Sequence, residues 1–161
     1  ANAESYLGID IAERAINLAR KRNQRELISN KVSFRVGSIT SQFLPPADIY
    51  FSLGLIDWLT DEQLDLLFRY TMKADFLHTF SEKRFSLSQW LHRVYIQVTY
   101  AKKTGGYVPQ YFSVDELQQL SSKYILNPFF VIRNPKLSFG AIITSLPQKE
   151  DPNDNSYSVC G

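Results

Sequence analysis

Short apolar runs and stretches in which apolar residues recur every three or four positions follow one another along the chain, the patterns of strand and helix. Tyr6-Leu7-Gly8-Ile9-Asp10 is an apolar run closed by an acid. Ala12, Ala15, Ile16 and Ala19 follow it at i, i+3, i+4 and i+7, predicting a strand and then a helix to about Leu27 or Ile28, ended by Asn30. Val32-Ser33-Phe34-Arg35-Val36 alternates apolar with polar and enters a turn at Gly37-Ser38-Ile39. Pro45-Pro46 punctuates the connection to a third strand, Asp48 to Gly54, whose continuous apolar character suits burial on both faces. Thr60 and Gln63 form a capping box that starts a helix near Asp61, running to about Met72, and Phe76 to Phe80 is a fourth strand. From Ser86 to Lys103 the residues Trp90, Leu91, Val94 and Val98 share one helical stripe, with a stop at Gly105-Gly106. Ser113 and Glu116 make a second capping box ahead of Val114, Leu117, Leu120 and Tyr124. Phe129 to Arg133 and Phe139 to Ser145 are closing strands joined around Asn134-Pro135, and 147–161 has no period and is expected to be a mobile tail.

Strands alternating with helices predict an α/β fold: a Rossmann-like open, mostly parallel sheet with helices on both faces. The last two strands lie too close in sequence for a parallel crossover, so the sheet should end in a C-terminal antiparallel hairpin. The 161 residues, 44% of them apolar, fit one domain over 1–146 followed by the tail. A net charge of +2 is too small to call for nucleic acid, no uncharged run is long enough to span a bilayer, and one cysteine, Cys160, excludes an internal disulfide and a cysteine-rich zinc site. No nucleic-acid, membrane or metal partner is expected, and the reducing cytoplasm is the expected compartment.

Ligands of doubly wound sheets bind beyond the carboxyl ends of the strands. Those ends carry Asp10-Ile11, Gly37-Ser38-Ile39, the run Ser52-Leu53-Gly54-Leu55-Ile56-Asp57-Trp58, and Thr79 to Arg84. Asp10 is placed either to accept the hydroxyls of a ribose or to cap the helix that follows. Ser38 and Ile39 offer an adenine one polar edge and one apolar surface, or form a simple turn. Gly54 permits a ligand to approach the backbone closely.

The motifs at 6–16 (Tyr-Leu-Gly-Ile-Asp-Ile-Ala-Glu-Arg-Ala-Ile), 36–39 (Val-Gly-Ser-Ile), 47–59 (Ala-Asp-Ile-Tyr-Phe-Ser-Leu-Gly-Leu-Ile-Asp-Trp-Leu) and 111–117 (Tyr-Phe-Ser-Val-Asp-Glu-Leu) resemble those of class I S-adenosylmethionine-dependent methyltransferases. The resemblance covers 5–146 and implies S-adenosylmethionine as cofactor. It implies that Asp10, with Ile11, holds the ribose, that Ser38 and Ile39 meet the adenine, and that Ser52, Leu53 and Gly54 line the cleft. It also implies a first strand and glycine-rich loop roughly 20 residues ahead of the ribose acid, whereas nine residues precede Asp10; the chain is read as N-terminally incomplete. The implied reaction is in-line methyl transfer to a small-molecule acceptor. Asp57 and His78, and less directly His92, are the candidate bases, though His78, inside an apolar strand, also reads as a core histidine. Trp58, Arg84, Tyr107 and Tyr111 are candidate acceptor-binding residues, and Trp90 and Tyr95 could join Arg84, Tyr107 and Tyr111 in a lid. The Trp90 stripe also suits a core or a homodimer surface. The rival readings are a non-catalytic Rossmann-like binding or scaffold domain and an NAD-dependent oxidoreductase.

Overall fold

A parallel pair of strands cannot be joined by a tight turn, and the first 45 residues solve this with a helical crossover. β1 (Tyr6–Asp10) and β2 (Val32–Val36) pair parallel in the register Tyr6↔Val32 to Asp10↔Val36, with α1 (Glu13–Glu26) between them. At Gly8 an added Cβ would lie 2.8 Å from Cδ1 of Phe34, so glycine leaves room for that ring beside the strand. Ile16 is the buried apolar residue of α1, and Arg20 Nη2 donates to the Phe34 carbonyl at 2.7 Å, fastening the helix to β2.

The computed structural model describes residues 3–26, 31–40, 44–71, 74–84, 87–100, 109–124, 129–133, 140–146 and 157–160. The expected helix end at Leu27 or Ile28, the Gly105-Gly106 stop and the Asn134-Pro135 turn lie outside them. The chain divides into two compact units, Ala1–Pro45 and Pro46–Gly161, where the sequence pattern predicts one domain.

The second unit is a five-stranded sheet in the order β3-β4-β6-β5-β7. β3 (Ile49–Ser52) and β4 (Asp75–Ser81) run parallel across the crossover helix α2 (Asp61–Thr71), while β6 (Gly140–Thr144) lies antiparallel between β4 and β5 (Phe129–Arg133). The closing hairpin therefore forms as expected, its second strand inserted next to β4. β4 alternates strictly, with Phe76, His78 and Phe80 buried on one face, and Ile143 of β6 is the register partner of His78. Phe68, Leu64, Ile56, Leu117 and Val131 complete a core in which each is fully buried. At ~1.5–3 kcal/mol per buried side chain this burial is the main force holding the unit. Both capping boxes form: Gln63 N donates to Thr60 Oγ1 at 3.4 Å and Thr60 N to Gln63 Oε1 at 3.0 Å, ahead of α2. Glu116 N donates to Ser113 Oγ at 3.1 Å and Ser113 N to Glu116 Oε2 at 2.7 Å, ahead of α4 (Val114–Ser121).

Two expectations are corrected here. Within the segment 147–161 expected to be a mobile tail, Tyr157–Cys160 is a strand, β7, antiparallel to β5. α3 (Leu87–Tyr100) does not bury the stripe of Trp90, Leu91, Val94 and Val98, all of which are exposed. The helix is attached by its opposite side, where Gln89 Nε2 donates to the Glu82 carbonyl at 2.7 Å and Ile96 is buried. No helix among the described residues is long and apolar enough to cross a membrane.

Candidate functional site

At the carboxyl edge of the first unit, Asp10 ends β1 beside the end of β2, since Asp10 is paired with Val36. Its side chain is exposed and Oδ1 accepts from Ala12 N at 2.7 Å, a turn that leads into α1. The turn lies ahead of the helix, which starts at Glu13, and the carboxylate still faces solvent. Ile11 is exposed beside it. Ser38 Oγ shares a 3.0 Å hydrogen bond with Thr40 Oγ1 and accepts from Thr40 N at 3.3 Å, so it forms a turn that fixes Ile39 in a half-buried position. A concave surface of this unit lies between α1 and β2, lined by Ala15, Leu18, Ala19, Val32 and Phe34. It contains none of the candidate residues.

In the second unit the loop after β3 turns at Gly54, whose φ of 65° belongs to the left-handed region that glycine enters without penalty. Gly54 N donates to Thr79 Oγ1 at 2.6 Å, joining the ends of β3 and β4, and a Cβ at Gly54 would meet nothing within 4 Å. Leu53 projects into solvent from the same loop. Ser52 does not face a ligand in this way: its Oγ shares a 3.0 Å hydrogen bond with His78 Nδ1.

Asp57, on the 3-10 turn Ile56–Trp58, is 9% exposed and points at the end of β4. Oδ1 accepts from Ser81 N and Oδ2 from Ser81 Oγ, both at 2.7 Å. Burial raises the Asp57 pKa above its ordinary value, against the lowering effect of the two Ser81 hydrogen bonds and the His92 charge. The carbonyl of Asp57 also accepts from Gln110 N at 2.7 Å, which brings the chain approaching Tyr111 to the same corner. Tyr111 is buried, its hydroxyl shares a 2.8 Å hydrogen bond with His92 Nδ1, and the Arg93 guanidinium lies 5.0 Å over its ring. Burial raises the Tyr111 pKa; the Asp57 charge adds to this and Arg93 opposes it. Asp57, Ser81, His92, Arg93 and Tyr111 therefore form one electrostatically linked group at the end of β4, with Trp58 half-buried beside it.

His78 takes the place of a core residue rather than of a base, and Arg84 is placed differently from its expected role. His78 is 1% exposed, stacked on Phe76 at 5.4 Å, with its Nε2 lacking a hydrogen-bond partner among the described residues. Burial pushes its pKa down to about 4, which keeps the imidazole neutral inside the core, out of reach of any acceptor. Arg84 donates from Nε and Nη2 to Glu82 Oε2 at 2.9 and 2.6 Å, and Arg133 donates from Nη2 to Glu82 Oε1 at 2.7 Å. Burial raises the Glu82 pKa, but the hydrogen bonds and charges of Arg133 and Arg84 outweigh it and the net shift is downward. Arg84 thus belongs to a two-arginine clamp on a buried carboxylate. Tyr107 lies outside the described residues. Ser81 and Arg133 are the participants that sequence reading missed. Ser81 sits within the strand-end segment singled out after β4, whereas nothing in the sequence around Arg133 marks it as the partner of an acid 51 residues away.

No protein-family model matches the chain, and no curated protein sequence matches it. Solved structures match its fold. Magnesium protoporphyrin IX methyltransferase from Synechocystis, solved with bound S-adenosylhomocysteine, is 16% identical with a TM-score of 0.59, over 86% of this chain and 62% of that one. The S-adenosylmethionine-dependent methyltransferase SibL in its apo form is 14% identical with a TM-score of 0.68, over 89% of this chain and 44% of that one. Human N-acetylserotonin methyltransferase in complex with S-adenosylmethionine is 17% identical with a TM-score of 0.59, over 87% of this chain and 40% of that one. The chain spans less than two thirds of the length of each of these three. The fold is that of the class I S-adenosylmethionine-dependent methyltransferases, with β6 inserted antiparallel between β4 and β5.

Proposed function

We propose that this chain takes part in S-adenosylmethionine-dependent methyl transfer to a small molecule. The observation that carries the reading is the exposed carboxylate of Asp10 at the end of β1, next to the Ser38 turn at the end of β2, on a methyltransferase fold. A carboxylate can accept both hydroxyl hydrogen bonds of a ribose, and a polar turn with an apolar neighbour suits an adenine. The residues present therefore fit an adenosyl group.

S-adenosylmethionine would supply a methyl carbon on a sulfonium, open to in-line displacement by a positioned nucleophile. The work left to the protein is to hold the acceptor and to take its proton. Asp57 is suited to the second task, because burial makes its carboxylate a stronger base than one in water, and each of its oxygens accepts one bond from Ser81. Tyr111 and Trp58 supply the aromatic wall against which a flat acceptor would lie. The inserted β6 favours this reading over an NAD-dependent oxidoreductase, whose sheet would continue with a parallel strand.

The test is calorimetry of the full-length protein with S-adenosylhomocysteine and, in parallel, NAD. Binding of S-adenosylhomocysteine alone supports the proposal. Binding of NAD alone would establish the oxidoreductase, and binding of neither would leave the scaffold reading.

A further inference from the structure

α3 presents two faces, and its apolar one is turned away from its own unit. On the attached side Gln89 and Ile96 are buried, and His92 and Arg93 engage Tyr111. On the other side Leu87, Trp90, Leu91, Val94, Tyr95 and Val98 form a continuous stripe in which each residue is between 39% and 77% exposed. Scattered apolar residues on a surface need no explanation, but a contiguous strip of this length marks an interaction site.

We propose that this stripe is a homodimer interface, in which α3 packs antiparallel against α3 of a second copy about a twofold axis passing beside Val94. Three observations select a second copy as the occupant. First, the stripe is self-complementary. Trp90 and Val98 stand four residues to either side of Val94, so a twofold axis there sets Trp90 against Val98 of the partner subunit, a large side chain against a small one. The small Val94 at the crossing allows the ~8–10 Å axial separation of packed helices. Second, α3 has no acid in its first turn and no base in its last, and its one arginine, Arg93, is directed at Tyr111 on the attached side. A face without formal charge meets its own copy without like-charge repulsion and offers nothing to a charged partner. Third, the area approaches what a dimer needs. With a fully exposed aromatic side chain worth ~150–250 Å² and an aliphatic one somewhat less, the exposed fractions give the stripe at most roughly 600–700 Å² per subunit to bury. This is most of the ~800 Å² that each partner contributes to a stable interface.

The test is sedimentation equilibrium of the chain at ~100 µM, well above the ~1 µM dissociation constant expected of the weaker interfaces of this size. The expected mass is twice 18.6 kDa. V94E and V94K should each be monomeric with unchanged circular dichroism, and an equimolar mixture of the two should regain the doubled mass through charge pairing at the axis. L18E, which charges an exposed leucine of α1, should leave the dimer intact. A wild-type mass of 18.6 kDa would overturn the proposal, as would a dimer that V94E does not dissociate. A monomer that co-sediments with phosphatidylcholine vesicles would assign the stripe to a membrane and overturn it equally.

Discussion

His78 makes the folding stability of this chain depend on pH in a way that can be worked out from its surroundings. In the unfolded chain its imidazole titrates near the ordinary value of 6.5, and in the folded chain burial pushes this down to about 4. Protons therefore bind the unfolded state more readily across that window. The stabilising contribution is fully present above 6.5, is lost progressively as the pH falls, and stops changing below about 4. The shift corresponds to about 3 kcal/mol over the whole window, at ~1.4 kcal/mol per pH unit. About 2 kcal/mol of it is lost between pH 7 and pH 5, since at pH 5 the unfolded imidazole is almost fully charged and the folded one almost wholly neutral. Asp57, whose pKa is raised on folding, contributes with the opposite sign, its contribution being lost as the pH rises through its titration, so a single pH profile of the wild type would mix the two. The comparison is with His78→Phe, which keeps a planar ring against Phe76 and removes the unpartnered Nε2. Urea unfolding at pH 7 and pH 5, followed by tryptophan fluorescence and circular dichroism, gives the two free energies for each protein. The wild type should lose about 2 kcal/mol more than the variant between these pH values. Equal losses in the two proteins would refute the reasoning and show that the imidazole is hydrated or paired in the folded chain.

Three further outcomes follow from named contacts. Glu82→Gln should lower stability by about 1–3 kcal/mol, read from the urea midpoint, because it removes the carboxylate charge that both Arg84 and Arg133 engage; their partial exposure keeps the loss below that of a fully buried pair. Gly54→Ala should cost about 1–2 kcal/mol from its left-handed backbone alone, since a Cβ there meets nothing, and Gly54→Asn should recover much of the loss in thermal melts. With Asp57 as the base of the proposed methyl transfer, Ser81→Ala should move the acid limb of the rate profile to higher pH, because the hydroxyl that favours the ionised carboxylate is gone; an unchanged acid limb would remove Asp57 from the reaction.

Local chemistry was the most legible part of the sequence. β1, β2 and β5 fall on the residues read from their apolar runs, and the Thr60 and Ser113 boxes start α2 and α4, because a cap and a pleat are decided within a few residues. The closing hairpin was legible for the same reason, from the shortness of its connection. What sequence could not supply was direction and partnership. The period of α3 identifies an apolar stripe but not which side docks, and here Gln89 and His92 anchor the helix by its more polar side. Arg84 reads as a cation for an anionic acceptor until Glu82 and Arg133 are brought together, and His78 reads as either a base or a core residue until its burial against Phe76 selects the core. The strand at Tyr157–Cys160 carries no periodic signal of its own and forms on the edge that β5 offers. Asp10 was read as either ribose ligand or cap. Its one bond, from Ala12 N, closes a turn ahead of α1, and an exposed carboxylate held by one oxygen remains compatible with the ligand role.

The claim on which the functional account rests is that Asp10 grips the sugar of an adenosyl ligand, and a double-mutant cycle addresses it directly. The affinities of S-adenosylhomocysteine and of its 2′,3′-dideoxy analogue are measured by calorimetry for the full-length wild type and for Asp10→Asn, which keeps the Asx turn while removing the charge. If the carboxylate receives both hydroxyls, deleting them should weaken wild-type binding more than tenfold, roughly 1.4 kcal/mol or more, and should weaken the variant far less. The same loss in both proteins would mean that Asp10 does not touch the ribose, and the account of the site would be contradicted at its first residue.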